Sequence, residues 1–269
     1  MKHLPGKSLL DQYIKPITRL HVDQTIAGEE NTHQIRVSIK RIRAMLVLHE
    51  ALTGHQPEFA QLDDYLKQLN KALSACRDHD VLLGLLDRII AKVDQPDVLQ
   101  LFSSTRTSIA ESSLPQLYDV NQVEHMTTDI LNAYQALPPI DIRVKNIRNY
   151  LKKRLRKTCK NADLLIRQAD CIALHSWRKQ VKQLYYQAEA LRAVSGKSPL
   201  PNKTLEKLGE RLGDIHDLCV LESTLQQQLA SQPQLASPST WQQSRQLLNK
   251  KHASLLKQCK RLYKKACVK

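Results

Sequence analysis

The 269-residue sequence predicts an all-α, internally duplicated protein, and three observations carry that prediction. Apolar residues recur at helical spacing through most of the chain, while no segment of useful length alternates as a strand does. Leu, Gln, Lys, Ala and Arg are abundant, aromatics make up 4% and glycines number seven, which disfavours a β-sandwich or a Gly-rich nucleotide fold. A row of cations spaced by helical turns occurs twice, with matching neighbours in the same order.

Taken in order, Ser8 caps a first helix to about Ile26, which Pro16 kinks or splits. Asn31 is the expected N-cap of a helix to Leu52, with Gln34 three residues on as in a capping box; Gly54 to Pro57 ends it. Helices over Phe59–Ala75 and Asp78–Val93 pack through Leu62, Leu66 and Leu69, then Val81, Leu85 and Ile89. Pro96–Ser113 and Val120–Ala136 follow. Pro138-Pro139 then divides a single domain, 1–269, into an N-terminal half, 1–137, and a C-terminal half, 138–269. The second half opens with one long helix from Ile142 to about Gln168, then a helix over Cys171–Ser195 and a loop at Gly196–Pro201. Helices over Lys203–Leu212 and Asp217–Ala230 join near Gly213, Ser231–Pro238 is irregular, and Ser239–Ala266 is the last helix.

The helix after Asn31 carries the functional signal. At 100° per residue, His33, Arg36, Lys40 and Arg43 fall within one arc of roughly 80°. Beside them runs an apolar seam of Ile35, Ile39, Ile42 and Leu46. No acidic residue on the row balances it. The repulsion, roughly a few tenths of a kcal/mol per i,i+4 pair, is relieved when a polyanion binds. His175, Arg178 and Lys182 repeat the spacing H-x-x-R-x-x-x-K at an offset of 142 residues, with the seam returning as Trp177, Val181, Leu184 and Ala188. Tyr185 stands where the first copy has Arg43. Leu73, Arg77, Asp78 and Val81 are matched by Leu212, His216, Asp217 and Val220 at an offset of 139. Later in each half, Lys153, Arg156, Lys157 and Lys160 match Lys257, Lys260, Arg261 and Lys264.

Together, in order, these motifs resemble the CHAD family, α-helical domains named for their histidines, over about Ser8 to Ala266. The resemblance implies two pseudo-symmetric four-helix bundles with basic helices lining a central groove or pore. It also implies binding of inorganic polyphosphate. The expected contacts are His33, Arg36, Lys40, Arg43, His175, Arg178 and Lys182, supported by Lys153, Arg156, Lys157, Lys257, Lys260, Arg261 and Lys264. Arginine forks hold phosphate oxygens bidentately and lysines act as point charges. A histidine beside phosphate gains a proton, so binding strengthens below neutral pH.

Net charge of +15 and a pI near 9.6 independently point to a polyanionic partner. Nucleic acid is the alternative occupant, although no aromatics interleave the cations as base stacking on a single strand requires. A second alternative is a metal-dependent phosphohydrolase built on the His79-Asp80 and His216-Asp217 pairs. No catalytic residue, metal or cofactor is expected, because no P-loop, G-x-S-x-G or H-E-x-x-H occurs and an arginine one turn from each histidine repels a cation. Asp78 and Asp217 are expected to pair with a basic side chain or to cap the helix that follows.

Cys76, Cys159, Cys171, Cys219, Cys259 and Cys267 form no C-x-x-C pair and read as reduced thiols of a cytosolic protein. No apolar signal-peptide core and no apolar run of about 18 residues occur, so a cytoplasmic setting without membrane partners, associated with polyphosphate granules, is expected. No oligomeric state is assigned.

Overall fold

The computed structural model describes residues 3–5, 7–23, 29–111, 120–139 and 141–267. Its first half comprises β1 (His3–Pro5), α1 (Ser8–Asp23), α2 (Glu29–Thr53), α3 (Pro57–Ala72), α4 (Ser74–Ile90), α5 (Pro96–Glu111) and α6 (Val120–Ala136). The second comprises β2 (Asp141–Arg143), α7 (Val144–Cys159), α8 (Ala162–Gln168), α9 (Cys171–Ser195), α10 (Asn202–Ser231), a 3-10 turn (Pro233–Leu235) and α11 (Pro238–Cys267). The all-α expectation holds, with one small addition. β1 and β2 pair antiparallel, His3 opposite Arg143, but three residues each are too few to show alternation in sequence.

Several boundaries differ from expectation for identifiable reasons. Pro16 lies inside α1 without ending it. Glu29 and Glu30 already belong to α2, so Asn31 lies in its first turn instead of capping it. The end of α2 is as expected: Gly54 takes φ +89, a left-handed conformation that glycine adopts without a Cβ clash, and Pro57 opens α3. α4 begins at Ser74, so Asp78 sits within it and not at its start; the side chains of Arg77 and Asp78 lie outside the described residues.

The long helix expected from Ile142 to Gln168 is two helices. The carbonyl of Thr158, which a continuing helix would give to residue 162, accepts instead from the Trp177 indole N–H at 3.1 Å. The pair expected over Lys203–Leu212 and Asp217–Ala230 is a single helix, α10, with Gly209 and Gly213 in its interior. These glycines serve close packing, not a turn.

α9 is central. It packs on α2, α7 and α10, while α10 packs on α11. Both apolar seams are buried: Ile35, Ile39, Ile42 and Leu46 of α2, and Trp177, Val181, Leu184 and Ala188 of α9. A buried hydrogen bond from Gln187 Nε2 to the Ala44 carbonyl, 2.7 Å, and an ion pair of Arg41 with Glu189, 3.1 Å, join α2 to α9. A second core packs Leu86 and Ile89 of α4 and Phe102 of α5 against Leu221 and Leu225 of α10 and Leu248 of α11. Both cores therefore draw side chains from both sequence halves.

Among the described residues four cysteines are disulfide-bonded, Cys159 to Cys267 and Cys171 to Cys219, and Cys259 is a buried free thiol. This corrects the reading of these cysteines as reduced. The partners are 108 and 48 residues apart and meet only through helix packing, so local spacing carried no sign of them. No helix of the described residues is long and apolar enough to cross a membrane.

Candidate functional site, a basic cleft between α2 and α9

The seam that buries Ile39 and Ile42 turns the adjacent cationic row of α2 sideways, toward α9, which presents its own row in return. Between them opens a cleft of about 670 Å³. Arg36, Lys40 and Arg43 line it from α2, and His175, Arg178, Lys179 and Lys182 from α9. α10 adds His216 and Asp217, α3 adds Asp63 and Asn70, and Val81 and Leu82 of α4 contribute apolar surface. Among the described lining residues, six basic side chains against two carboxylates leave four formal positive charges with both histidines neutral.

The cations are held differently. Arg36 is buried and donates to the Asn70 carbonyl at 3.2 Å and to Ser74 Oγ at 2.6 Å, which fixes one nitrogen at the base of the cleft. Arg43 Nε bonds Asp63 Oδ1 at 2.7 Å. Burial alone would push the Asp63 carboxyl up, but hydrogen bonds from Arg43 and Lys67 hold it below the usual carboxylate range. The α2 row is therefore not unbalanced as the sequence suggested; the balancing acid comes from α3.

The α9 row leans on α10. A Cβ on Gly209 would lie 2.9 Å from Cδ and Cε of Lys182, and one on Gly213 would lie 3.4 Å from Arg178 Nε. The two glycines thus leave room for these side chains to lie across the helix backbone. Burial, then the nearby Arg178 charge, lowers the Lys182 pKa, against the opposing pull of Glu210 and Glu206. His175 stacks on His216 with ring centroids 4.2 Å apart. Burial, then His216, Lys179 and Arg178, lowers the His175 pKa to about 4. The free imidazole is neutral at pH 7, and its protonation window lies lower than an unperturbed histidine would give. Arg178 Nε and His175 Nδ1 are both buried with no hydrogen-bond partner among the described residues. Such groups carry a desolvation cost that a hydrogen-bonding ligand removes, an acceptor in the case of Arg178.

The sequence-derived residues are only partly brought together. Arg36, Lys40, Arg43, His175, Arg178 and Lys182 share the cleft, whereas His33 is exposed on α2 outside its lining. Lys153, Arg156 and Lys157 of α7, and Lys257, Lys260, Arg261 and Lys264 of α11, are exposed and also outside it. Tyr185, the counterpart of Arg43, is buried and donates to Glu206 Oε1 at 2.7 Å. Lys179 was missed because it falls outside the H-x-x-R-x-x-x-K pattern, and Asn70 and Ser74 because nothing in sequence ties α3 and α4 to α2.

Of the His-Asp pairs, His79 bonds the Ile109 carbonyl through Nε2 at 2.9 Å, a tether between α4 and α5. No group of three His, Asp or Glu ligands gathers at either pair among the described residues. Asp217 lies inside α10 and caps no helix.

The family model described as CHAD domain matches residues 17–226. Two solved structures share the fold. The CHAD domain from the plant Ricinus communis has a TM-score of 0.60 at 23% identity, covering 96% of this chain and 91% of that one. PptA from Streptomyces chartreusis has a TM-score of 0.66 at 16% identity, covering 97% and 98%. No curated protein sequence matches the chain.

Proposed function

The chain belongs to the CHAD domain family, and from that membership and the chemistry of the cleft we propose that it binds inorganic polyphosphate between α2 and α9 without transforming it. The observation that supports this most is the convergence of cations from two helices on a buried donor, Arg178 Nε, and a buried imidazole nitrogen, His175 Nδ1, neither of which has a hydrogen-bond partner among the described residues. A phosphate chain supplies acceptor oxygens along its length. Helical turns about 5.4 Å apart then let successive cations meet successive parts of one linear anion. The Arg178 fork takes oxygens bidentately, Arg36 and Arg43 add positive field from positions already fixed, and Lys40, Lys179 and Lys182 act as point charges.

On this reading the halves 1–137 and 138–269 descend from one duplicated helical unit, and α2 and α9 are equivalent jaws of a groove. The exposed lysines and arginines of α7 and α11 add long-range attraction for the polyanion from outside the cleft, an effect that salt screens. A cytoplasmic setting at polyphosphate granules would place both disulfides under reducing conditions.

The test is a competition titration at fixed salt, because phosphate contacts are strongly salt-dependent. Labelled long-chain polyphosphate is displaced by unlabelled polyphosphate, orthophosphate, duplex DNA or single-stranded RNA. Tight binding of polyphosphate that nucleic acid of equal charge fails to displace supports the proposal. Equal displacement by DNA or RNA overturns it in favour of a general polyanion surface.

A further inference from the structure

A second constellation lies where the start of α9 meets α10 and α11, beside the cleft but outside its lining. Cys171 opens α9, Cys219 sits one turn beyond His216 on α10, and His252 projects from α11. One ligand atom from each, the two sulfurs and an imidazole nitrogen, all lie within 4.8 Å of one another. His252 Nε2 is buried and has no hydrogen-bond partner among the described residues. A disulfide alone explains the two cysteines; it does not explain a third soft donor from a third helix held against them with its nitrogen unsatisfied.

We propose that Cys171, Cys219 and His252 form a thiol-gated site for a zinc-class divalent cation, closed while the cysteines are oxidised and opened by reduction. This goes beyond the polyphosphate reading and does not depend on it. Two thiolates and one imidazole are a donor set for tetrahedral zinc, with Zn–S near 2.3 Å, Zn–N near 2.0–2.1 Å and one position left for water. Around such an ion two sulfurs stand roughly 3.7 Å apart, by the tetrahedral angle and that bond length. The Cα atoms of Cys171 and Cys219 are 6.3 Å apart, so side-chain rotation can open the sulfurs that far with the helices in place.

The chemistry balances with a dithiol as reductant. Its thiolate attacks one sulfur of the Cys171–Cys219 bond, its second thiol resolves the mixed disulfide, and it leaves as its own disulfide. The protein gains two thiols. The cation then displaces both thiol protons to solvent and takes the neutral imidazole as third ligand.

The experiment uses the full chain carrying Cys159→Ser and Cys267→Ser, so that the other pair contributes no thiols. The protein is reduced with dithiothreitol, desalted without oxygen, and titrated with Co²⁺ and then Zn²⁺. One ion per chain is expected, with thiolate-to-cobalt charge-transfer absorption that Zn²⁺ abolishes, and no binding before reduction. Cys219→Ser and His252→Gln should each weaken the site by at least about a hundredfold, the upper end of the effect of losing even an outer-shell partner. Circular dichroism of each variant checks the fold, and Cys171→Ser serves as the replacement should Cys219→Ser unfold. A cobalt spectrum without thiolate bands, no binding by the reduced protein, or undiminished binding in His252→Gln and a folded cysteine variant overturns the proposal.

Discussion

Replacing Gly209 with Ala tests the cleft without changing a single charge. The new Cβ would stand 2.9 Å from both Cδ and Cε of Lys182 and 3.3 Å from its Cγ. Favourable carbon–carbon contact begins near 3.5 Å, so the lysine stem must retreat by roughly 0.6–1 Å. The obstacle is a flexible side chain rather than backbone, and position 209 is interior to α10, where Ala is favoured over Gly by about 0.8–1.0 kcal/mol. The variant should therefore fold, with Tm unchanged or raised by about 2–4 °C. Binding should move the other way. One charge-assisted hydrogen bond is worth about 1.5–3 kcal/mol, or about 10- to 150-fold in affinity at 1.4 kcal/mol per tenfold. The displaced ammonium stays within the cleft, so a loss of about 5- to 15-fold in polyphosphate affinity is expected. Gly84→Ala is the control: its Cβ would come no nearer than 3.9 Å to an Arg88 nitrogen, and binding should not change. The assay is titration of labelled polyphosphate at fixed salt, paired with thermal melts. Unchanged affinity at unchanged or higher Tm would refute the placement of Lys182 in the site, and an unfolded variant would refute the packing argument.

Arg178→Ala should reduce affinity at least about tenfold with little change in Tm, whereas Arg36→Ala should also lower Tm, because Asn70 and Ser74 lose their bound guanidinium; equal melts for the two would contradict that division of labour. His175 has a folded pKa of about 4 against 6.5 when unfolded, so the free protein binds fewer protons than the unfolded chain between those values and loses stability as pH falls from 6.5 through 4. Bound phosphate opposes that shift, so affinity at constant salt should rise from pH 7 to pH 5 and the slope should flatten in His175→Gln; identical slopes would remove His175 from the site. Cys159→Ser with Cys267→Ser opens a link across 108 residues, and a destabilisation of about 2–4 kcal/mol in denaturant titration is expected; an unchanged midpoint would mean that helix packing alone fixes the end of α11. Replacing Lys257, Lys260, Arg261 and Lys264 with Ala should change affinity less than about threefold near 0.15 M salt, where exposed charges beyond a Debye length are screened, and a larger loss would extend the site onto α11.

The all-α fold was legible because burial imposes a 3.6-residue period on apolar side chains, and α6 and α9 begin and end where that period does. What stayed hidden depends on contacts distant in sequence. The break after Cys159 is set by an indole 19 residues away, and the continuity of α10 by side chains of α9 that fill the space its glycines leave. The cleft followed the same rule. Arg178 and Lys182 announced themselves through a repeated spacing on one helix. Asp63, Asn70 and Ser74 reach Arg43 and Arg36 across helix packing, which no local pattern encodes. The exposed basic runs of α7 and α11 look as strong as the cleft rows on charge alone; only the buried seam beside a row tells which way its cations face.

The Cys159–Cys267 link closes α8, α9, α10 and α11 into a covalent ring that starts at the last residue of α7, and Cys171–Cys219 closes a smaller ring inside it. α9 belongs to both, while α2 belongs to neither and is held by contacts such as Gln187 to Ala44. The two jaws are therefore mechanically unequal. A single backbone nick between 196 and 201 leaves one covalent molecule on a non-reducing gel. Tension applied through the N-terminal segment has no covalent obstacle to peeling α2 from α9, and would split the cleft along its length before the ringed half yields.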